Sequence, residues 1–162
     1  RRITVMRKIK KLVATLLAAT MVMAMGVTAF AADSLADGKY TAKQNLYKNS
    51  ACTTTSMGDA ALNDMRAEIT IADDEATLVV HTHEITYLGL TGHLGKMVVN
   101  GKTVTPKQTT TNGVTDYYFT FTGLDASTIY EGCVITGKFT TYVGSMPMNA
   151  TGYLKLTDIT AK

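Results

Sequence analysis

Two methionines lie in polar segments, where the neighbouring residues suggest no apolar surface for their side chains to pack against. Met57 lies between Ser56 and Gly58, Met146 lies between Ser145 and Pro147, and both segments interrupt strand-like sequence. A thioether is a soft, neutral ligand that suits haem iron, and methionine ligation raises the reduction potential of the iron. The alternative is that both side chains fill gaps in apolar packing, which is a common use of methionine. The residues alone leave both interpretations open.

A pair of histidines is a second candidate for chemistry. His81 and His83 are two residues apart in a strand-like segment, so both side chains point to the same face. Such a pair can bind zinc or copper, but the spacing identifies no third or fourth ligand. We therefore expect structural or solvent-facing histidines. His93, in a glycine-rich segment, receives no assigned role.

The sequence contains no motif of a familiar enzyme class. G-x-S-x-G, the P-loop and G-x-G-x-x-G are all missing. The carboxylates fall mostly in expected turns, and no two of them form an evident general acid/base pair. We therefore expect that this protein is not an enzyme.

Charge is distributed unevenly along the chain. The formal net charge is +3, yet residues 1–31 hold six basic residues and no acidic one. The remaining residues hold ten basic and thirteen acidic side chains, which gives them a net charge of −3. This acidic balance gives no electrostatic reason to expect nucleic-acid binding.

Residues 1–31 have the order of a secretory signal peptide. Basic residues continue to Lys11, an apolar run follows over residues 12–30, and Ala29-Phe30-Ala31 offers small residues for cleavage. We expect cleavage after Ala31, a true start at Met6, and an exported mature domain over residues 32–162. The alternative is an uncleaved membrane anchor, because the apolar run is about as long as a short span.

Two cysteines remain outside the expected signal peptide. An exported protein permits a disulfide between Cys52 and Cys133. Cys133 also alternates with Ile135 and Phe139 on an expected core face, which favours a small buried thiol equally well. Both interpretations stay open.

The elements that must position these residues are β-strands. Apolar and polar residues alternate in short segments, and no segment shows a helix-length amphipathic period. Asn100-Gly101 and Asn112-Gly113 are strong signals for tight hairpin turns. About eight strands at this spacing predict an antiparallel sandwich or barrel in one domain. The residues expected to share a strand face are Met65, Ala67, Ile69 and Ile71 in one strand, Ala76, Leu78 and Val80 on the core face of the next, and Phe119 and Phe121 in a later one.

Two segments break the strand pattern, and each carries one of the unexplained methionines. Residues 48–63 are expected to contain a short helical turn capped by Ser56 or Asp59. Residues 144–150 are expected to form a loop that joins the last two strands, over residues 132–143 and 151–157.

Several motifs, taken in order, resemble a known family. The chain resembles the NEAT (near-transporter) haem-binding domains, and within them the Shp type, over about residues 35–158. The matching segments are Asp37-Gly38-Lys39-Tyr40-Thr41, Ser56-Met57-Gly58-Asp59-Ala60-Ala61-Leu62, Gly89-Leu90-Thr91-Gly92-His93-Leu94-Gly95, and Tyr142-Val143-Gly144-Ser145-Met146 followed by Tyr153-Leu154.

The resemblance implies an all-β fold, an immunoglobulin-like antiparallel β-sandwich of about eight strands with a short helical lip. Haem would lie between this lip and the last β-hairpin. Many members bind the iron through the first tyrosine of a Tyr-x-x-x-Tyr pair in this hairpin. Here Tyr153 matches the second tyrosine, but Asn149 stands where the first would be. The Shp type instead uses two methionines, which match Met57 and Met146, with Met148 as a competitor for Met146.

The resemblance also implies a haem pocket and a cellular role. The pocket would include Ser56, Leu62, Tyr142, Met148 and Tyr153. The protein would be secreted or held on the surface of a Gram-positive-type bacterium, where it would take haem from host haemoproteins or relay it to other proteins for iron acquisition. A membrane partner is expected only if the signal peptide stays uncleaved. The alternative function is a haem-free cell-surface β-sandwich that binds a protein or a glycan.

Overall fold

The computed structural model describes residues 33–162, most of which lie in antiparallel β-strands. The predicted signal peptide, residues 1–31, lies outside the described residues. Within them the strands are β1 (Gly38–Tyr47), β2 (Arg66–Ala72), β3 (Glu75–His83), β4 (Ile85–Tyr87), β5 (Leu90–Val99), β6 (Lys102–Val104), β7 (Lys107–Thr111), β8 (Val114–Asp125), β9 (Val134–Val143) and β10 (Met146–Ala161).

Alternating burial explains why the central segments form strands. In β2 and β3 every second side chain is buried, and Ile69, Leu78 and Val80 are almost fully inaccessible. Hydrogen bonds link the strands in the order β4-β5-β9-β10-β1-β2-β3-β8-β7, with β6 paired to β5. The halves of this sheet face each other, because Met97 of β5 and Phe139 of β9 line one small interior gap with Leu78 of β3 and other side chains. The prediction of an all-β antiparallel sandwich is therefore confirmed.

The sandwich has more strands than the eight or so expected from the sequence. Residues 85–94 form most of a hairpin, because Leu88 and Gly89 both adopt positive φ angles of 50° and 77° in a two-residue turn. β7 is exposed along its whole length, so no apolar alternation reveals it. The two predicted Asn-Gly turns are confirmed, at Asn100-Gly101 and Asn112-Gly113, and again both residues of each turn have positive φ.

The last hairpin corrects one prediction. β9 and β10 pair without interruption from Met146 opposite Val143 to Lys155 opposite Val134, so the predicted loop over residues 144–150 is wrong. The turn is only Gly144-Ser145, in which Gly144 takes a φ of 58° that favours glycine. Pro147 is tolerated because β10 pairs with β1 only from Tyr153 onward, which leaves this part of β10 at an edge. Met146 is therefore a strand residue.

Candidate ligand-binding site

Residues Met57–Ala61 form a 3₁₀ helix, which we call the lip. Ser56 caps it, since its Oγ accepts a hydrogen bond of 3.3 Å from the N–H of Gly58. This confirms the predicted helical turn with Ser56, and not Asp59, as the cap. A Cβ on Gly58 would lie 3.3 Å from a methyl group of Leu46 and 3.6 Å from one of Leu94. The lip therefore packs directly on β1 and β5.

A buried carboxylate fastens the lip to β1. The Asp59 side chain is 5% exposed, and its Oδ1 accepts a 2.6 Å hydrogen bond from the backbone N–H of Leu46. Asn45 donates to the same oxygen at 3.3 Å, and Asn63 donates to the other carboxylate oxygen at 3.1 Å. Hydrogen bonds to a charged acceptor are the stronger kind, so this group holds the middle of the lip in place.

Two further side chains hold the residues that follow the lip. Gln44, which is fully buried, donates from Nε2 to the backbone oxygens of Leu62 and His81. Leu62 is itself buried in the core, so it supports the lip from below. On the outside, His83 Nε2 lies 2.9 Å from a carboxylate oxygen of Asp64. The C-terminal side of the lip is thus tied to both β1 and β3.

Strand alternation places two methionines on the side of the hairpin that the lip covers. Met146 and Met148 share a face of β10 with Gly152 and the buried Leu154, because the pairing with β9 has no bulge. A Cβ on Gly152 would lie 3.0 Å from Leu46, the same residue that contacts the lip. Beyond this contact, toward its turn, the β10 strand of the hairpin is exposed to solvent. Met146 is 65% exposed and Met148 is 49% exposed.

A second hairpin ends beside the first. The N–H of Gly144 donates to the oxygen of Thr91 at 2.8 Å, and Gly92 pairs with Val143. The turn of this β4–β5 hairpin therefore lies next to the turn of the β9–β10 hairpin. Six of the eight large hydrophobic side chains that are exposed within residues 33–162 come from these two turns and the lip. We call this group the apolar end: Met57, Tyr87, Leu88, Leu90, Met146 and Met148.

The apolar end itself carries no formal charge, and the carboxylate nearest to it in sequence, Asp59, is buried against β1. Residues 49–58, 85–95 and 139–154, which contain it, include no Asp, Glu, Lys or Arg. Clustered apolar side chains on an otherwise polar surface mark interaction sites. This surface therefore suits a ligand that has a large apolar area and that can be coordinated by the thioether sulfur atoms of the methionines.

The two predicted pocket tyrosines, Tyr142 and Tyr153, lie on the other face of the hairpin. Tyr153 shares its face of β10 with Asn149, whose Oδ1 accepts a 2.6 Å hydrogen bond from the Oγ1 hydroxyl of Thr140. Tyr142 pairs with Pro147 and lies on that same face. The structure thus brings Met57, Met146 and Met148 to one end of the sandwich and turns Tyr142 and Tyr153 away from them.

The sequence did not predict an aromatic stack behind the hairpin. The ring of Tyr142 lies 5.4 Å from that of His93, and His93 in turn stacks on Tyr117 at 4.7 Å and 9°. The Tyr117 hydroxyl donates to Glu84 at 2.9 Å. Burial, together with this hydrogen bond, raises the pKa of Tyr117 to about 12. His93 lies in β5, so strand register is the signal that would have paired it with Tyr142.

The two histidines of β3 that could have bound a metal ion each lie beside one carboxylate. His81 and His83 do share one face of β3, and each lies near a carboxylate, Glu68 at 3.8 Å and Asp64 at 2.9 Å. Within residues 33–162, no group of three or more His, Cys, Asp or Glu is arranged to hold a metal ion.

The two cysteines are not joined in a disulfide. Cys133 is buried in the core, as one of the two interpretations expected, and burial raises the pKa of its thiol. Cys52 is only partly covered, in the loop before the lip.

Comparison with known proteins found no match. The chain matches no known protein-family model, and no curated protein is similar to it. Among the described residues, no helix is both long enough and apolar enough to cross a membrane. The function must therefore be inferred from the apolar end and the residues around it.

Proposed function

We propose that this protein binds haem at the apolar end, with the sulfur atoms of Met57 and Met146 as the axial ligands. The observation that supports the proposal is that the lip and the last hairpin both lie against Leu46, through Gly58 and Gly152, and that each carries one largely exposed methionine. Thioether sulfur is a neutral donor that suits haem iron and raises its reduction potential.

Exposure distinguishes these methionines from packing residues. Met97 lies in the core and is 0% exposed, as a gap-filling side chain should be. Met57 and Met146 are 68% and 65% exposed, so they fill no gap in the sandwich. Their surroundings fit a porphyrin, because the neighbouring turns supply apolar and aromatic side chains and no fixed charge. When bound, the group would supply a redox-active iron, while the chain supplies donor sulfurs and apolar cover.

The apolar faces account for most of the expected affinity. Burying roughly 300 Å² of porphyrin surface contributes about 7.5 kcal/mol at ~25 cal/mol per Å², before the cost of ordering both partners. The lip is already fastened through Asp59 and Gln44, so less entropy is lost when it closes on a ligand. Met148 lies on the same face of β10 as Met146 and is the competing ligand.

We further propose that the protein is an exported haem carrier with no reaction of its own. Residues 1–31 have the order of a signal peptide, and the resemblance to the Shp-type NEAT domains supports a role in haem capture or relay at a Gram-positive-type cell surface. Other relay proteins or host haemoproteins would be its partners. A neutral ligand pair suits such a handover, because no tyrosinate has to be protonated before release.

Titration of the purified protein with haemin tests the proposal. We expect a saturable Soret band with one haem per chain. Iron-free protoporphyrin IX should bind more weakly to the same site, because it keeps the apolar contacts and lacks the iron that sulfur would ligate. No Soret shift at micromolar haemin would contradict haem binding.

One observation favours the second candidate, a haem-free surface protein that binds another protein or a glycan. Tyr87 and Leu88 are 74% and 84% exposed, more than either proposed ligand, and lie at the tip of the β4–β5 hairpin. Exposed aromatic and aliphatic side chains at a tip are typical of contact surfaces. A failed haemin titration would favour this candidate.

A further inference from the structure

Both ring nitrogens of His83 face atoms that only accept hydrogen bonds. Nδ1 lies 2.7 Å from the backbone oxygen of Glu84, and Nε2 lies 2.9 Å from a carboxylate oxygen of Asp64. A neutral imidazole carries a single N–H and can donate to one of these oxygens only. The imidazolium donates to both, so the geometry selects the protonated form of His83.

The charged groups around His83 also favour its protonated form. Asp64 follows the lip, Asp116 lies opposite His83 on β8, and the carboxylate of Glu84 accepts the hydrogen bond from Tyr117. Partial burial of His83 disfavours its charge. The backbone oxygen of Glu84, the Asp64 carboxylate and the more distant Asp116 outweigh this effect, and the pKa of His83 is raised above its usual 6.5.

The His83–Asp64 pair lies where it can hold the lip. Asp64 is two residues beyond Leu62, the C-cap residue that directly follows the lip. The intervening Asn63 is itself bonded to Asp59 inside the lip, and the N–H of Met65 donates to the oxygen of Leu62 at 3.1 Å. The segment from the lip to Asp64 is thus one bonded unit, and His83 links its exposed side to β3.

We propose that His83 is a positioning residue for haem: its protonated ring holds Asp64, and through it the lip with Met57, against β3. This inference rests on the proposed function, because Met57 matters only if the lip carries a haem ligand. Loss of the proton removes one of the two hydrogen bonds and the attraction to Asp64. The lip then opens more readily and haem leaves faster.

The direction of the pH effect follows from the raised pKa. The stabilisation by His83 is fully present below its ordinary value of 6.5 and is lost as the pH rises through the higher value in the folded protein. Haem should therefore be held longest in mildly acidic solution. The proposed methionine ligands do not titrate in this range, so they contribute no competing pH effect.

Haem transfer from the loaded protein to excess apomyoglobin tests this inference. Between about pH 6 and pH 8.5, we expect the dissociation rate of the wild type to rise about two- to fivefold, as for a partly exposed ion pair. His83→Gln and Asp64→Asn should lose haem at the faster rate at every pH. His81→Gln is the matched control, because it lies on the same face of β3 without contacting Asp64, and it should keep the wild-type profile. A wild-type rate that is constant across this range would overturn the inference.

Amide hydrogen exchange in the ligand-free protein separates this inference from haem binding itself. The N–H groups of Leu62, Asn63 and Met65 donate within the lip segment, so their protection reports its opening. The protection ratio of wild type to His83→Gln should fall as the pH rises through the same range. If haem fails to bind but this ratio falls, the proposed function is wrong although His83 does hold the lip. If haem binds and the ratio stays constant, His83 does not position the lip.

Discussion

Replacing Asp59 with alanine should release the lip from β1. The Asp59 carboxylate is 5% exposed and accepts three hydrogen bonds, of which the 2.6 Å bond from the backbone N–H of Leu46 is the shortest. Asn45 and Asn63 can turn toward water when the carboxylate is removed. The N–H of Leu46 is fixed by β1 beneath the lip and has no such freedom.

The expected loss follows from these partners. A hydrogen bond to a charged group contributes about 1.5–3 kcal/mol, and an orphaned buried donor costs about 1–3 kcal/mol. Both figures describe the same N–H group of Leu46, so they are not simply added. We expect Asp59→Ala to lower the free energy of unfolding by about 2–4 kcal/mol. Asp59→Asn keeps an acceptor for Leu46 but presents an amide donor to the Asn63 amide donor, so its cost should be about 1–2 kcal/mol.

Urea unfolding of the purified variants measures both losses. Asp37→Ala is the matched control, because Asp37 is an exposed carboxylate in the bend before β1, and it should change the free energy of unfolding by less than about 0.5 kcal/mol. If the protein binds haem as proposed, Asp59→Ala should also speed haem dissociation. The reasoning is refuted if Asp59→Ala costs no more than the control, or if Asp59→Asn costs more than Asp59→Ala.

Three other predictions concern the core and the aromatic stack. Burial, and to a smaller extent the hydrogen bond to Glu84, raises the pKa of Tyr117 to about 12. The neutral form of Tyr117 therefore contributes its full stabilisation of the folded state below pH 10, and this stabilisation is lost as the pH rises toward 12. Phenolate absorbance should show an ionisation near pH 12 that Tyr117→Phe removes, and its persistence in that variant would refute the assignment. A thiol reagent should label Cys52 in the native protein and Cys133 only after unfolding; rapid labelling of both would contradict the burial of Cys133. Gly95→Ala would place a Cβ 2.2 Å from the Tyr142 ring, so we expect a loss of about 1–3 kcal/mol in urea unfolding, whereas an unchanged free energy would show that the ring moves freely.

The fold was predictable where one face of a strand is buried. Ile69, Leu78 and Phe119 occupy core positions that two-residue alternation identifies directly. The same signal fails where a strand has no buried face. β7 is exposed throughout, and residues 146–151 of β10 are exposed on both faces, so pairing with a neighbour rather than burial makes them strands. Turn chemistry revealed the Asn-Gly hairpins but not the turn at Gly144-Ser145, which contains no Asn-Gly pair.

The candidate site was predictable in its residues but not in its arrangement. Met57 and Met146 could be singled out because no packing role explained them, and the short helical turn at Ser56 was recognisable from its cap. The sequence placed Met146 in a loop, while strand register places it on one face of β10 with Met148. The supports of the site depend on contacts between distant residues, such as Leu46 with Asp59 and His83 with Asp64, and local sequence patterns contain no signal for them.

The most direct measurement is the absorption spectrum of the haem complex in the wild type and in three leucine variants. Leucine keeps the apolar volume of methionine and removes the sulfur. We expect a six-coordinate, low-spin spectrum in the wild type and its loss in Met57→Leu and in Met146→Leu. Met148→Leu, the matched control on the same face of β10, should leave the spectrum unchanged. Wild-type spectra in both Met57→Leu and Met146→Leu would contradict methionine ligation by this pair, and a change in Met148→Leu instead of Met146→Leu would move the hairpin ligand to Met148.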